Sequence, residues 1–324
     1  MPAARDPKAL LQVAQLYYLE HLSQQQVATR LGISRSNVSR MLTDAVAQGI
    51  VEIRINDPAG RERVLERQLR DTFGLREARV AQRLGAFDNG GGNHVGVLAA
   101  QLLVHSIKDQ MTVGLSWGHA LQGMVWATTT DHDHAVQLVQ LVGGLSSISN
   151  EISGQELVRE LASRLGASYR YLHAPATLTT KAARDALVKE QSIAQALEAA
   201  RAADVAFVGI GTPLHGSSAA VLASLDLTRS EAEAFWKSKP VGDIAARYFD
   251  QDGKEVPGPV HDRVLAVTLE DLAHIATVVG VAEGRAKVPG VLGALRGRLI
   301  DVLVCDESLA RGVLSAANSE GAAA

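Results

Sequence analysis

The strongest constraint on this chain is an alternation of strand-length and helix-length apolar runs. It begins with "EARVAQ" and continues through "VGVLAAQLLVHSI", "MTVGL", "HALQGMVWATT" and "AVQLVQLVG". It resumes with "ASYRYL", a helical stretch near residues 179–202, "DVAFVGIG" and "RLIDVLVCDESLARGVL". Strands that trade places with helices in this way predict a mostly parallel sheet with helices on both faces. No internal repeat interrupts the pattern, and the tail "SAANSEGAAA" reads as frayed.

The first residues follow a different rule. Leu10, Val13, Ala14 and Tyr17 recur at helical spacing, and "HLSQQQVATRLG" follows. Ser23 and Gln26 have the spacing of a capping box, with Val27, Ala28 and Leu31 as the buried stripe. Gly32 permits a tight turn and Ile33 plugs the angle between two helices. Ser34 is placed to cap a second helix whose apolar stripe is Val38, Met41, Leu42 and Ala45. The opposite face presents Ser36, Arg40 and Thr43, flanked by Asn37 and Ser39. Val51, Ile53 and Ile55 alternate with Glu52 and Arg54 as a half-buried strand, and "NDPAGR" then closes the unit near residue 58.

This pattern is that of a helix-turn-helix. Major-groove reading needs bidentate and short polar side chains near the start of the second helix. Arg35, Ser36, Asn37, Ser39 and Arg40 supply them beside Ser34, and Gln24 and Gln25 are placed to touch the DNA backbone. The plain alternative is a helical hairpin with a solvated face. Residues 22–55 hold four arginines against Asp44 and Glu52, a local charge of +2. One copy neutralises few phosphates, so useful affinity calls for a dimer or tetramer. The charged stretch "RERVLERQLRDTFGL" reads as a connector or subunit contact, with Val64, Leu65, Gln68 and Leu69 along one side. The expected organisation is a DNA-binding domain at 1–58, a connector helix at 59–75, an effector and oligomerisation domain at 76–316, and a frayed tail at 317–324.

Net charge over the 324 residues is −3, so the whole chain advertises no polyanionic partner. Cys305 is the single cysteine and lies in an apolar run, which excludes an internal disulfide and fits a buried, inert thiol in the cytoplasm. No run approaches about 18 apolar residues, so no membrane segment is expected.

Several short motifs bear on chemistry. "GLSWG" (Gly114–Gly118) satisfies G-x-S-x-G between a strand and a helix. It is readable as a nucleophile elbow with Ser116 attacking, followed by Asp243 and then His261 or His274. It is equally readable as an anion-binding turn. The motif alone leaves both open. His119 either donates to an anionic ligand or caps the helix. "VGIGTP" (Val208–Pro213) lacks the spacing of a dinucleotide fingerprint, so Gly211 marks close backbone approach to a ligand. "DHDH" (Asp131–His134) reads as a solvated loop rather than a metal site, and no metal or cofactor is expected. "VGDI" and "GVAEGRAK" bring Asp243 and Lys287 to loop ends, suited to sugar hydroxyls and to a charged group.

Taken in order, these motifs resemble the SorC family of transcriptional regulators, the sugar-responsive group that includes deoxyribonucleoside-type regulators. The resemblance covers nearly the whole chain. It rests on "YYLEHLSQQQVATRLGISRSNVSRMLTDAVAQGIVEI", "GLSWG", "LVGG", "DVAFVGIG", "VGDI", "VVGVAEGRAK" and "ALRGRLIDVLVCDESLA". It implies an α/β fold: a winged helix-turn-helix joined to a Rossmann-like effector domain similar to sugar-phosphate isomerases and deaminases. It also implies operator DNA and a small sugar, polyol or sugar phosphate as partners, and a homo-oligomer. Carried across, Ser116, Trp117, Gly118 and His119 would hold a phosphate, Asp243 would contact hydroxyls, and Lys287 would face the charged end. The chain departs from the family at Ala120, where threonine is frequent, at Glu283, where glycine is common, and at Cys305, where threonine is usual. Loss of the Ala120 hydroxyl leaves an unphosphorylated sugar or polyol open. A serine hydrolase using Ser116 and an isomerase-like enzyme are the alternatives from another class.

Overall fold

The computed structural model describes residues 6–51, 60–82, 94–145 and 153–321. The chain divides into two compact units, Met1–Asn56 and Asp57–Ala324.

In the first unit, α1 (Pro7–Ala14) runs into a π-helical turn (Gln15–Leu19), followed by α2 (Gln24–Leu31) and α3 (Arg35–Ala47). Local chemistry sets these boundaries. Ser23 and Gln26 form the reciprocal capping box at the start of α2. Gly32 ends that helix at φ 68°, a left-handed conformation that costs a residue without Cβ little. Ser34 Oγ then accepts the Asn37 N–H at 3.2 Å and starts α3. Leu10, Val13, Leu16, Val27, Val38, Met41, Leu42 and Ala45 form the core, with Ile33 half-buried against it. Of the expected wing strand, residues 52–55 lie outside the described residues, as does most of the "NDPAGR" turn.

The second unit opens with α4 (Arg63–Phe73), β1 (Glu77–Ala81), α5 (His94–Ser106), β2 (Thr112–Leu115), α6 (His119–Ala127), β3 (Gln137–Gln140), α7 (Gly154–Leu165) and β4 (Ser168–Arg170). The chain then returns through α8 (Lys181–Lys189), α9 (Gln191–Arg201) and β5 (Val205–Gly211). Next come α10 (Gly216–Ser224), α11 (Arg229–Lys237), a hairpin of β6 (Gly242–Ile244) and β7 (Arg247–Phe249), α12 (Pro259–Arg263) and α13 (Leu269–Ala273). It closes with β8 (Thr277–Ala282), a 3-10 turn (Arg285–Lys287), α14 (Val288–Arg296), β9 (Val302–Asp306) and α15 (Glu307–Gly321).

The main sheet has the parallel order β1-β9-β8-β5-β2-β3-β4. Crossovers through α5, α6 and α7 step toward β4, and those through α8–α9, α10–α13 and α14 step back. The right-handed rule for such crossovers therefore puts the two sets on opposite faces. The helix packing agrees: α5, α6 and α7 lie side by side, while α14, α15 and α4 form a separate group. β2 and β5 are neighbours whose continuations leave in opposite directions. A sheet opens a crevice beyond the carboxyl ends of such strands.

Four local expectations need correction. The helix near 179–202 is two helices, broken at Glu190. Its first half buries nothing and is tied to α12 by Lys181–Asp262 at 2.7 Å; its second half drops Ile193 and Leu197 into a cluster with Leu172 and Leu265. The buried residues of α4 are Leu65, Glu66 and Leu69, not Val64 and Gln68. The Glu66 carboxylate is buried because Arg61 pairs with it at 2.7 and 2.9 Å and the Val80 N–H donates to it at 3.0 Å. Within the second unit α4, read as a connector or subunit contact, packs on β1 and α15. The tail read as frayed continues α15 to Gly321. "VGDI", read as a loop end, is strand β6 against β5. Among the described residues, no helix is long and apolar enough to cross a membrane.

Candidate functional site

The crevice between β2 and β5 holds a cavity of about 260 Å³, close to the lower end of small-ligand pockets. Its walls come from four segments. After β2 come Trp117, Gly118, His119 and Ala120; from β5 and the start of α10 come Gly209, Gly211 and residues 215–218. Asp243 of β6 closes the floor, and Glu283 and Lys287 follow β8.

Helix starts dominate the lining. α6 begins after Gly118 and α10 after His215, and no side chain caps either of them, whereas α14 continues directly from the 3-10 turn that carries Lys287. Elsewhere in this unit α7, α8, α11 and α13 are each capped by a serine or threonine, while α4, α9 and α12 have no side-chain cap either. Uncapped starts leave N–H donors and the positive end of the helix dipole for a guest oxygen. Gly118 has φ 130°, a conformation that only glycine adopts readily, and this aims the turn at the cavity.

The Asp243 carboxylate is buried. It accepts the Ser218 hydroxyl and, at 3.2 Å, the Ala246 N–H. Burial pushes the carboxyl above its ordinary value, offset in part by the Ser218 hydrogen bond and the positive charge of Lys287. The Tyr248 hydroxyl, raised well above the ordinary phenol value by burial and by Asp243, donates to Ser218 O at 2.5 Å. Gly211 is indispensable to this arrangement. A Cβ there would lie 1.9 Å from both Asp243 Oδ1 and Ser218 Oγ.

Of the residues expected here from sequence, Trp117, Gly118, His119, Gly211, Asp243 and Lys287 all line the cavity. Ser116 does not. It is 2% exposed, and its hydroxyl accepts the Gly209 N–H at 3.1 Å, fastening β2 to β5. Just past the end of β2, the Ser116 side chain turns toward β5 and is not presented to the cavity as a nucleophile would be. Among the described residues no histidine bonds to it; His261 pairs with Glu255 and His274 with the Glu270 carbonyl. His119 does not cap α6; its ring Nδ1 lies 3.0 Å from Glu283 Oε1. In the Asp131–His134 loop, His134 bonds Thr130 Oγ1 at 3.1 Å. Sequence reasoning missed His215 and the Gly216–Ser218 turn. The signal was "HGSS" directly after a glycine-rich strand end, a favourable start for an anion-binding helix.

In the first unit, Arg35, Ser36, Ser39 and Arg40 are exposed along α3 and Asn37 is half-buried. Among the described residues neither arginine is held in an ion pair, whereas Arg30 pairs with Glu20 at 2.7 Å. Gln25 is exposed and Gln24 half-buried on α2. The Ser34 hydroxyl is already engaged as the cap of α3.

Residues 57–315 match the family described as "Putative sugar-binding domain", and residues 6–62 match the MarR family. The chain is 31% identical to the deoxyribonucleoside regulator of Bacillus subtilis, over 94% of this chain and 96% of that one. It is 30% identical to the sorbitol operon regulator of Klebsiella pneumoniae, over 97% and 100%. The crystal structure of the full-length sorbitol operon regulator SorC from Klebsiella pneumoniae superposes with a TM-score of 0.71 at 30% identity, covering 95% of this chain and 99% of that one. The chain belongs to the SorC family. As a SorC-family protein it is a DNA-binding transcriptional regulator with a sugar-class effector domain, and its relatives are named regulators rather than enzymes. The α/β fold with an amino-terminal helix-turn-helix, expected from sequence, is the family's fold.

Proposed function

We propose that the β2/β5 crevice is the effector site and that α3 reads operator DNA. The observation that carries the first half is the meeting of two uncapped helix starts and Lys287 with one buried carboxylate at the switch point of the sheet. Backbone N–H groups from Gly118–Ala120 and Gly216–Ser218 donate to ligand oxygens, Asp243 accepts from hydroxyls, and Lys287 faces the most electron-rich end. A small sugar, polyol or sugar phosphate has the density of oxygens that such a lining satisfies. On α3, Arg35, Ser36, Asn37, Ser39 and Arg40 meet base edges, with Ser34, Gln24 and Gln25 fixing register on the phosphates. The weak charge of a single reader makes the working form a dimer or tetramer, acting in the cytoplasm. The ligand acts by favouring one arrangement of effector units over another, since equal affinity for both would shift nothing.

Thermal-shift screening against sugars, polyols and their phosphates tests the site. A ligand at one hundred times its Kd raises stability by about 2.7 kcal/mol. Lys287→Ala should keep operator binding and blunt the effector response. An unchanged dose–response in that variant would count against the crevice.

A further inference from the structure

The crevice carries a charge that a phosphate receptor has no use for. Its ionisable lining is Asp243 at the floor, Lys287, and Glu283 on the loop after β8, with His119 and His215 beside them. Glu283 lines the crevice with its side chain partly exposed. Its Oε1 lies 3.0 Å from Nδ1 of His119, and His119 is the first residue of α6. The carboxylate therefore stands next to a helix start that could receive an anion, and it takes up Nδ1 of the imidazole on that start. A helix start contributes roughly half a positive charge; a full carboxylate beside it more than cancels that field. The neighbouring side chain compounds this, because Ala120 offers no hydroxyl to an incoming oxyanion.

We infer that Glu283, held by His119, closes the α6 start to phosphate and makes the crevice a receptor for an uncharged polyol or sugar. This rests on the reading of the crevice as the effector site and narrows its ligand class. Hydroxyl groups can donate to Glu283 and to Asp243 while accepting from the helix N–H groups, so a neutral ligand uses both carboxylates. The phosphoryl dianion of a sugar phosphate has no hydrogen to donate, and any phosphate anion meets Glu283 as a like charge.

The test uses inorganic phosphate as the probe, in equilibrium dialysis against the full chain and its Glu283→Gln variant. Glutamine keeps the volume and removes the charge; Glu283→Gly is the second variant, with circular dichroism melts to show that both fold. At an ionic strength of about 0.1 M, both variants should bind phosphate at least tenfold more tightly than the wild type. The gain should disappear when Lys287→Ala is added. Equal phosphate affinity in wild type and variants overturns the role given to Glu283. So does failure of the folded variants to bind phosphate, since Glu283 would then not be what excludes it. The broader screen separates the two readings. A sugar phosphate that binds the wild type in preference to its parent sugar, with dependence on Lys287, would uphold the effector crevice and overturn the role of Glu283.

Discussion

In the first unit every group proposed to meet DNA lies between Gln24 and Arg40, on two helices joined by one glycine turn. In the second, the crevice gathers residues from Trp117 to Lys287, carried there by strands that are distant in sequence and adjacent in the sheet. The contrast teaches where each can fail. The DNA-reading surface is a property of one helix face, so a change of side chain alters what is read while the backbone stays. The crevice is a property of packing, so a change in a residue that never touches ligand can empty it.

The largest expected effect sharpens that difference directly. Asn37→Ala with Arg40→Ala removes two candidate base contacts of about 1–3 kcal/mol each, so specific operator affinity should fall about a hundredfold or more. Ligand-induced melting shifts should be untouched; fluorescence anisotropy and thermal melts report the two readouts. Unchanged operator affinity would sink the assignment of α3. Gly211→Ala is the reciprocal change. Its Cβ would overlap Asp243 Oδ1 and Ser218 Oγ, costing about 1–3 kcal/mol as overpacking does and dismantling the crevice floor. Operator binding without effector should persist while the effector response is lost. A normal response would mean that the floor is dispensable.

Ser34→Ala tests whether the first unit depends on packing after all. Loss of the cap should lower stability by about 1 kcal/mol, with a parallel weakening of operator binding as the first turn of α3 frays. Weakened operator binding with unchanged stability would instead give Ser34 a direct contact. The smallest effect concerns Asp243. Its carboxyl is raised in the folded chain, so its contribution is fully present below the unfolded pKa of about 3.9 and is lost as pH rises through the folded value. The melting temperature of wild type minus that of Asp243→Asn should therefore fall as pH rises from acid toward neutral. A difference that stays flat would place Asp243 in contact with water.

Legibility in the sequence follows the same divide. The capping box at Ser23, the left-handed Gly32 and the Ser34 cap are decided within four residues of themselves, and all three are present. The alternation of strands and helices in the second unit was readable in outline, because period and turn chemistry are local. What was hidden depends on partners far along the chain. Nothing near Glu190 marks a break, yet α8 is held by Asp262 and α9 by a separate apolar cluster. Glu66 reads as solvated until Arg61 and the Val80 N–H are beside it. Ser116 fits a nucleophile motif whose spacing says nothing about which way the hydroxyl turns, and here it turns to Gly209 on another strand. Each motif of the crevice could be seen, but their meeting required the order of the sheet.

One carboxylate ties the crevice to the beginning of the second unit. Asp306 accepts the Gly284 N–H at 2.5 Å on one oxygen. On the other it accepts the N–H groups of Ser308 and Leu309, at 2.8 and 3.0 Å, where α15 starts. The helix it anchors packs against the 3-10 turn that carries Lys287 and against α4. A ligand that draws the Gly284 loop inward thus pulls on the root of a lever whose shaft rests on the first helix of this unit. Close-packed interiors transmit such a displacement rather than absorb it. A guest small enough for a 260 Å³ cavity can in this way be felt where the chain enters the unit, without touching that entry point.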